Sequence, residues 1–110
     1  MGSWQVRIIE LDASGWATVL DFMGALRRAI GAPVGHGWSP AAFVDSMIWG
    51  GMNSVEPPYM IRIVRTADLN TEVRDYITMM AGLLLEARAD HYARRGIDVE
   101  VSISVPEVSN

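Results

Sequence analysis

The sequence predicts an α/β fold, in which a small three-stranded parallel sheet is packed with helices. Strand-like and helix-like stretches alternate along the chain, and the helical stretches end at clear stop signals. Strands that are joined through helices need crossover connections, which are typical of parallel neighbours. Half of the 110 residues are apolar, enough for one ordinary core. We therefore expect a single domain over 1–110, with a short tail at 106–110.

The first strand is predicted over 4–11, where branched apolar side chains fall on both faces. This pattern is typical of a strand that is covered on both sides. A helix is predicted next over 15–30, because apolar residues recur there at steps of three and four. Gly31 ends this helix, and Pro33 prevents it from resuming.

A shorter second helix follows a glycine-rich turn. Ser39 is its predicted N-cap, and Pro40 takes the first helical position, where a missing N–H costs nothing. Gly50 and Gly51 supply the residue that closes it.

Two pairs of side chains within this helix are spaced four residues apart. Phe43 and Met47 form one pair, and Asp45 and Trp49 form the other. The pairs share no stripe, so one is expected to face the core and the other to face outward. An acid beside an indole on an outward face makes this helix a candidate recognition surface.

The second half of the chain is predicted to contain a strand over 59–65, a long helix over 71–95 and a strand over 98–105. Gly96 ends the long helix, after a last turn that carries arginine residues. The last strand alternates cleanly between apolar and polar side chains, which predicts an edge strand with one buried face.

Composition limits the class of function. The formal net charge is −4, whereas nucleic-acid binding normally needs a basic excess, so we expect no nucleic acid as a partner. The absence of cysteine removes disulfides, thiolate catalysis and Cys-based zinc sites. No apolar run approaches the ~20 residues of a membrane span, and the N-terminus shows no signal-peptide pattern. We expect a cytoplasmic protein with no membrane partner.

The sequence contains no arrangement that predicts catalysis, a metal site or a cofactor. Nucleophile elbows, phosphate loops and dinucleotide fingerprints do not occur. Two histidines, His36 in the glycine turn and His91 on the long helix, are too few for a metal site. His36 and Asp45 form an acid–base pair only if folding brings them together. We therefore expect that the protein is not an enzyme.

One long stretch of the chain has no Lys or Arg. It runs from Arg28 to Arg62, and both Asp45 and Glu56 lie within it. Two interpretations stay open, namely chance in an arginine-poor stretch, or a face that keeps positive charge away from a cationic partner.

Four stretches, taken in order, carry a family resemblance. They are an opening strand and helix that end before Ala32-Pro33, the segment Gly37-x-x-x-Ala41-Ala42-Phe43-x-Asp45-x-Met47, the strand Pro57-Pro58-Tyr59-Met-Ile-Arg-Ile, and the helix end Arg94-Arg95-Gly96-Ile97-Asp98. Together they resemble the barstar family of intracellular ribonuclease inhibitors, over nearly the whole chain. The resemblance implies a three-stranded parallel sheet covered by helices, and an inhibitory surface built from the glycine turn and the second helix.

In that family the surface presents carboxylates and aromatic rings to the cationic active site of the ribonuclease, which steers association and plugs the cleft. By position, Asp45 matches the principal acid of the family and Gly37 its turn glycine. The other positions differ: Ala41 replaces an earlier acid, Gly35 and His36 replace two aromatic residues, Val44 replaces a tryptophan, and His91 replaces the acid of the long helix.

The resemblance leads us to expect a barstar-like inhibitor or immunity protein of a toxin–antitoxin pair. It would bind a ribonuclease-type toxin and block the active site, with Asp45 as the charged anchor. The expected partner-binding residues are Gly35, His36, Gly37, Trp38, Ala41, Asp45, Trp49 and His91.

The alternative is a regulatory or homo-oligomeric binding domain that kept the fold without nuclease inhibition. Its partner could be a second copy of the chain, through apolar residues such as Trp38 and Met52. A salt-insensitive homodimer would favour this alternative, because steering by charge weakens as salt rises.

Overall fold

The computed structural model describes residues 5–33, 39–49 and 53–104. The elements in these ranges are β1 (Arg7–Asp12), α1 (Val19–Ile30), α2 (Pro40–Trp49), β2 (Tyr59–Val64), α3 (Thr71–Arg95) and β3 (Val101–Ser104). The fold is α/β with one small parallel sheet, as the sequence predicts.

The three strands lie in the order β1-β2-β3, and both neighbouring pairs are parallel. Ile9 pairs with Ile61, which in turn pairs with Ile103. Since β3 is at the edge, the prediction of an edge strand is confirmed. Because the strands are parallel, their N-terminal ends lie along one border of the sheet. We call this border the amino edge. The loop before β2 and the loop after α3 meet there, where Tyr59 N–H donates to the carbonyl of Glu100 at 2.9 Å.

The helices cover one face of the sheet. On the central strand β2, Tyr59, Ile61 and Ile63 are fully buried, whereas Arg62 is exposed. The buried core is completed from β1, the helices, β3 and the turns: Leu11, Ala13, Phe22, Leu26, Ile30, Phe43, Val44, Met47, Ile48, Leu69, Val73, Ile77, Met80, Leu84, Val101 and Ile103.

The prediction that β1 is covered on both sides is wrong. β1 is an edge strand, and in the described ranges no helix packs on the second face of the sheet, so the Ile8 side chain is exposed. Leu11, which points to the helices, is buried. Branched residues on both faces therefore do not identify two-sided burial here.

The first helix begins later than the sequence predicts, because a capping box fixes its start. Thr18 is the N-cap: its Oγ1 accepts from Asp21 N–H at 3.4 Å, and the Asp21 carboxylate accepts from Thr18 N–H at 3.0 Å. Trp16 thus lies outside the helix, where its ring packs on Phe22 with centroids 5.7 Å apart. The end of α1 is confirmed, since Gly31 adopts the left-handed conformation with φ of 66°.

The long helix has the predicted bounds. Asn70 caps its first turn by accepting from Val73 N–H at 2.9 Å, and Gly96 ends it with φ of 70°. The strand predicted over 98–105 pairs regularly only from Val101 to Ser104, and residue 105 lies outside the described ranges. No helix in the described ranges is long and apolar enough to cross a membrane.

Candidate functional site

The second helix is capped and oriented as its sequence predicts. Ser39 Oγ accepts from Ala42 N–H at 3.1 Å, as an N-cap does. Phe43 and Met47 are buried in the core. The predicted closing glycines, Gly50 and Gly51, lie outside the described residues.

The outward side of α2 carries three of the residues that the sequence singled out. Ala41, Asp45 and Trp49 are exposed, and steps of four residues place them on one stripe of the helix. The Asp45 carboxylate forms no ion pair or hydrogen bond within the described part of the chain. The stripe therefore presents an uncompensated negative charge one turn before an indole.

The Trp49 indole is half-exposed, with 49% of its surface accessible. Two side chains of α3 hold it. His91 meets the ring edge-on, with centroids 4.6 Å apart, and the Arg95 guanidinium lies 5.1 Å from the ring centroid, within the range of a cation–π contact. The end of α3 thus fixes the orientation of the last side chain of α2.

His91 supports this surface from behind. Its side chain is only 8% exposed, and its Nδ1 lies 3.0 Å from the carbonyl oxygen of Ile97. A carbonyl can only accept, so Nδ1 carries the proton and donates to it. The structure therefore brings His91 to the candidate site as a support for Trp49 rather than as an open contact residue.

A groove of about 300 Å³ opens beside Trp49 at the amino edge of the sheet. Apolar groups and acidic groups both line it. The apolar ones are Ile48, Trp49, Pro57, Pro58 and Val99, and the acidic ones are Glu56, Asp98 and Glu100. A long side chain with a cationic head matches such a lining, because its stem is apolar and its tip is charged.

Part of the acidic charge is compensated from α3. Arg88 donates to both oxygens of Asp98, at 2.7 Å each. These hydrogen bonds lower the pKa of the Asp98 carboxyl below its ordinary value, and the same bonds raise the pKa of Arg88. Deeper in the core, burial first and the nearby charge of Glu56 second raise the pKa of the Tyr59 phenol.

Four of the predicted partner-binding residues, Gly35, His36, Gly37 and Trp38, lie outside the described residues. The structure does gather the other four predicted residues into one region, since Trp49 shares a helix stripe with Ala41 and Asp45 and contacts His91.

Arg95 and Glu100 belong to this region of the surface, but the sequence alone does not identify them as site residues. Arg95 appears in the sequence only as a favourable charge at a helix end, and its spacing of four from His91 is the one signal that both face the same side. The sequence between Arg28 and Arg62 contains no Lys or Arg. The folded surface nevertheless carries a positive charge here, because the Arg95 guanidinium lies on Trp49.

In the ranges that the structure describes, no group of three or more His, Cys, Asp or Glu side chains could hold a metal ion. Comparisons of the chain with protein-family models, with curated proteins and with solved structures found no match.

Proposed function

We propose that this protein is a barstar-like inhibitor, which binds a ribonuclease-type toxin and blocks its active site with α2. The proposal rests on the resemblance of the sequence to that family and on one observation in the structure. Asp45, the residue that matches the principal acid of the family, is exposed and has no partner in the described part of the chain.

An unpaired surface carboxylate suits this function energetically. It gives up no internal ion pair when it enters the cationic cleft of a ribonuclease, so only the cost of removing water from the carboxylate opposes the gain from the new contact. The half-exposed Trp49 lies one turn further along α2. Tryptophan is among the residues that most often supply binding energy at the centre of interfaces.

The groove beside Trp49 extends the negative surface. Glu56, Asp98 and Glu100 lie along it, and the Arg88 guanidinium pairs with Asp98. A ribonuclease holds phosphates with cationic side chains, so basic groups at the rim of its cleft would meet this groove while Asp45 enters the cleft.

The test is inhibition of RNA cleavage. The purified full chain is titrated against single-domain ribonucleases, including any toxin encoded beside it, and cleavage of a fluorogenic RNA is measured. We expect stoichiometric inhibition of at least one enzyme. Asp45→Asn keeps the shape of the side chain and removes its charge, so it should raise the inhibition constant about tenfold or more.

Asp75→Asn is the matched control. Asp75 is an exposed acid on α3 without an ion pair in the described ranges, and it lies about 24 Å along the helix axis from His91. It should leave inhibition unchanged. If an inhibited ribonuclease is found but Asp45→Asn and Trp49→Ala have no effect, the surface is wrongly assigned. If no ribonuclease is inhibited, the proposed function is wrong.

A further inference from the structure

The outward side of α3 carries a continuous uncharged stripe. Successive residues of the stripe are separated by four and then three positions in turn, which is the spacing of a coiled-coil seam. We call this stripe the α3 seam, and its members are Thr78, Gly82, Leu85, Ala89 and Tyr92. Charged side chains occupy several other positions of the same helix, among them Glu86, Arg88 and Asp90.

The α3 seam lies on a side of the helix that does not pack on the core. Ile77, Leu84 and His91 are buried on the core side, whereas Leu85 is 59% and Tyr92 57% exposed. Between these two exposed side chains is an open groove of about 450 Å³, lined by Leu85, Arg88, Ala89, Tyr92 and Asp98. Two large apolar side chains and the hollow between them thus face solvent without cover in the described part of the chain.

We propose that the α3 seam binds the α3 seam of a second copy of the chain, with the two helices antiparallel about a two-fold axis near residue 87. In this arrangement Leu85 of each copy packs on Ala89 of the other, and Tyr92 packs over Gly82. Each of these layers then combines one large side chain with one small one, and Thr78 lies beyond them. A Cβ placed at Gly82 would meet nothing within 4 Å, so there is room for a ring at this position.

The same seam does not suit a parallel pair. Parallel helices would set Leu85 on Leu85 and Ala89 on Ala89, so wide layers would alternate with narrow ones. At any one helix separation either the large side chains clash or the small ones leave gaps, and both defects cost packing energy. An antiparallel pair keeps the helix separation even, at the 8–10 Å usual for packed helices. The α3 seam is therefore complementary in shape to the same seam on a second copy, as a two-fold interface requires.

The charges beside the seam permit this contact. Arg88 already donates to both oxygens of Asp98, so it brings no unpaired charge to the interface. Glu86, on the other flank of the α3 seam, would lie close to Glu86 of the second copy, near the two-fold axis. That repulsion between exposed carboxylates is small and is screened by salt. We therefore expect that added salt does not weaken the dimer.

The interface is expected to be weak. From Thr78 to Tyr92 the seam extends about 21 Å along the helix, so one helix pair buries less than the ~800 Å² per partner of a standard stable interface. Dissociation in the micromolar range or above is the expected result. The contact does not rely on Trp38 or Met52, the residues through which the sequence predicts a self-contact. It leaves α2 free, so it neither depends on the inhibitor proposal nor decides between that proposal and the alternative.

Sedimentation velocity of the full chain, from about 1 to about 500 μM, tests the proposal. We expect a concentration-dependent dimer in the wild type. Leu85→Glu and Ala89→Lys should each lower the association constant, the former about tenfold or more, because each places a charge against an apolar layer.

The double variant Leu85→Glu/Ala89→Lys decides the orientation. In the antiparallel pair the carboxylate introduced at position 85 of each copy meets the ammonium group introduced at position 89 of the other. The double variant should therefore dimerise more tightly than either single variant. Non-specific apolar association would instead fall further with a second charge. Leu20→Glu, at an exposed leucine of α1, is the matched control and should not change the association constant.

Circular dichroism of each variant confirms that the helix content is retained, and all the substitutions use residues that helices tolerate. A wild-type chain that stays monomeric throughout the concentration range would overturn the proposal. So would a dimer that Leu85→Glu leaves intact, or a double variant that is weaker than both single variants.

Discussion

The imidazole of His91 meets the indole of Trp49 edge-on, with ring centroids 4.6 Å apart and ring planes inclined by 72°. His91 is itself fixed by the hydrogen bond from Nδ1 to the carbonyl of Ile97 at 3.0 Å. The shape of the surface on α2 therefore depends on a side chain of α3 and on the loop that follows α3.

His91→Ala should lower the free energy of unfolding by about 1–3 kcal/mol, because it removes a buried ring and leaves the Ile97 carbonyl without its donor. Urea denaturation followed by circular dichroism measures the loss. His91→Phe keeps a ring against Trp49 but cannot donate, so it should fall between His91→Ala and the wild type.

Glu86→Ala is the control for this pair of variants. Glu86 is exposed on the same helix and forms no ion pair in the described ranges, so its removal should change stability by no more than about 0.5 kcal/mol. Equal stability of His91→Ala and Glu86→Ala would show that the ring and its hydrogen bond are not structural supports.

The features that the sequence predicts well are those that are encoded locally. The bounds of α3 follow from a cap at Asn70 and a stop at Gly96, and the start of α2 follows from Ser39 and Pro40. Side chains within a few residues make these contacts, so no knowledge of the rest of the fold is needed. The late start of α1 is harder to predict, because the apolar periodicity of the helix already begins before its N-cap, Thr18.

The contacts that build the candidate site are not local, and the sequence could not predict them. The sequence does not indicate which side of α3 contacts Trp49, or that Arg95 lies on the indole. Both facts follow only from the packing of α2 against α3. The groove likewise combines the loop before β2 with the loop after α3, which meet only because both strands begin at the same edge of a parallel sheet.

Gly31→Ala should destabilise the protein more than Gly96→Ala. Both glycines have left-handed φ angles, 66° and 70°, which cost a side chain about 1 kcal/mol. A Cβ at Gly31 would also lie 2.5 Å from the Cβ of Ser54, whereas a Cβ at Gly96 meets nothing within 4 Å. Urea denaturation of the two variants should show the extra cost at Gly31.

Ser54→Gly provides the check on that cause. Removing the Ser54 side chain opens space for the new methyl group, so the combination Gly31→Ala/Ser54→Gly should lose less stability than the sum of the single changes. Strict additivity of the two changes would contradict the steric explanation.

Asn70 joins the start of α3 to the segment before α1, and its two roles can be separated. Its Oδ1 accepts from Val73 N–H at 2.9 Å, and its Nδ2 donates to the carbonyl of Ala17 at 2.9 Å. Asn70→Asp keeps the cap and loses only the donor, whereas Asn70→Ala loses both. We expect losses of about 1 kcal/mol for Asn70→Asp and about 2 kcal/mol for Asn70→Ala.

Thermal and urea denaturation measure these losses, and Thr71→Ala at the exposed next residue is the control. A loss from Asn70→Asp as large as that from Asn70→Ala would show that the bond to Ala17, rather than the cap, carries the effect.

Acid should remove the stability that the pair of Arg88 and Asp98 supplies. The hydrogen bonds from Arg88 hold the pKa of the Asp98 carboxyl below its ordinary value. A carboxyl with a lowered folded-state pKa contributes stability that is complete above its unfolded pKa of about 3.9 and disappears as the pH falls through the folded-state pKa. Asp98→Asn should therefore be less stable than the wild type at neutral pH, by an amount that does not change between about pH 6 and pH 8.

Below about pH 4 the two proteins should begin to converge, and the difference should be gone once the pH is below the lowered folded-state pKa of Asp98, where the wild-type carboxyl is also neutral. Urea denaturation at a series of pH values measures the difference, and Asp75→Asn, which removes an exposed acid without an ion pair in the described ranges, is the matched control. If the deficit of Asp98→Asn stayed constant down to the lowest pH at which the protein folds, it would arise from packing or geometry and not from the charge of Asp98.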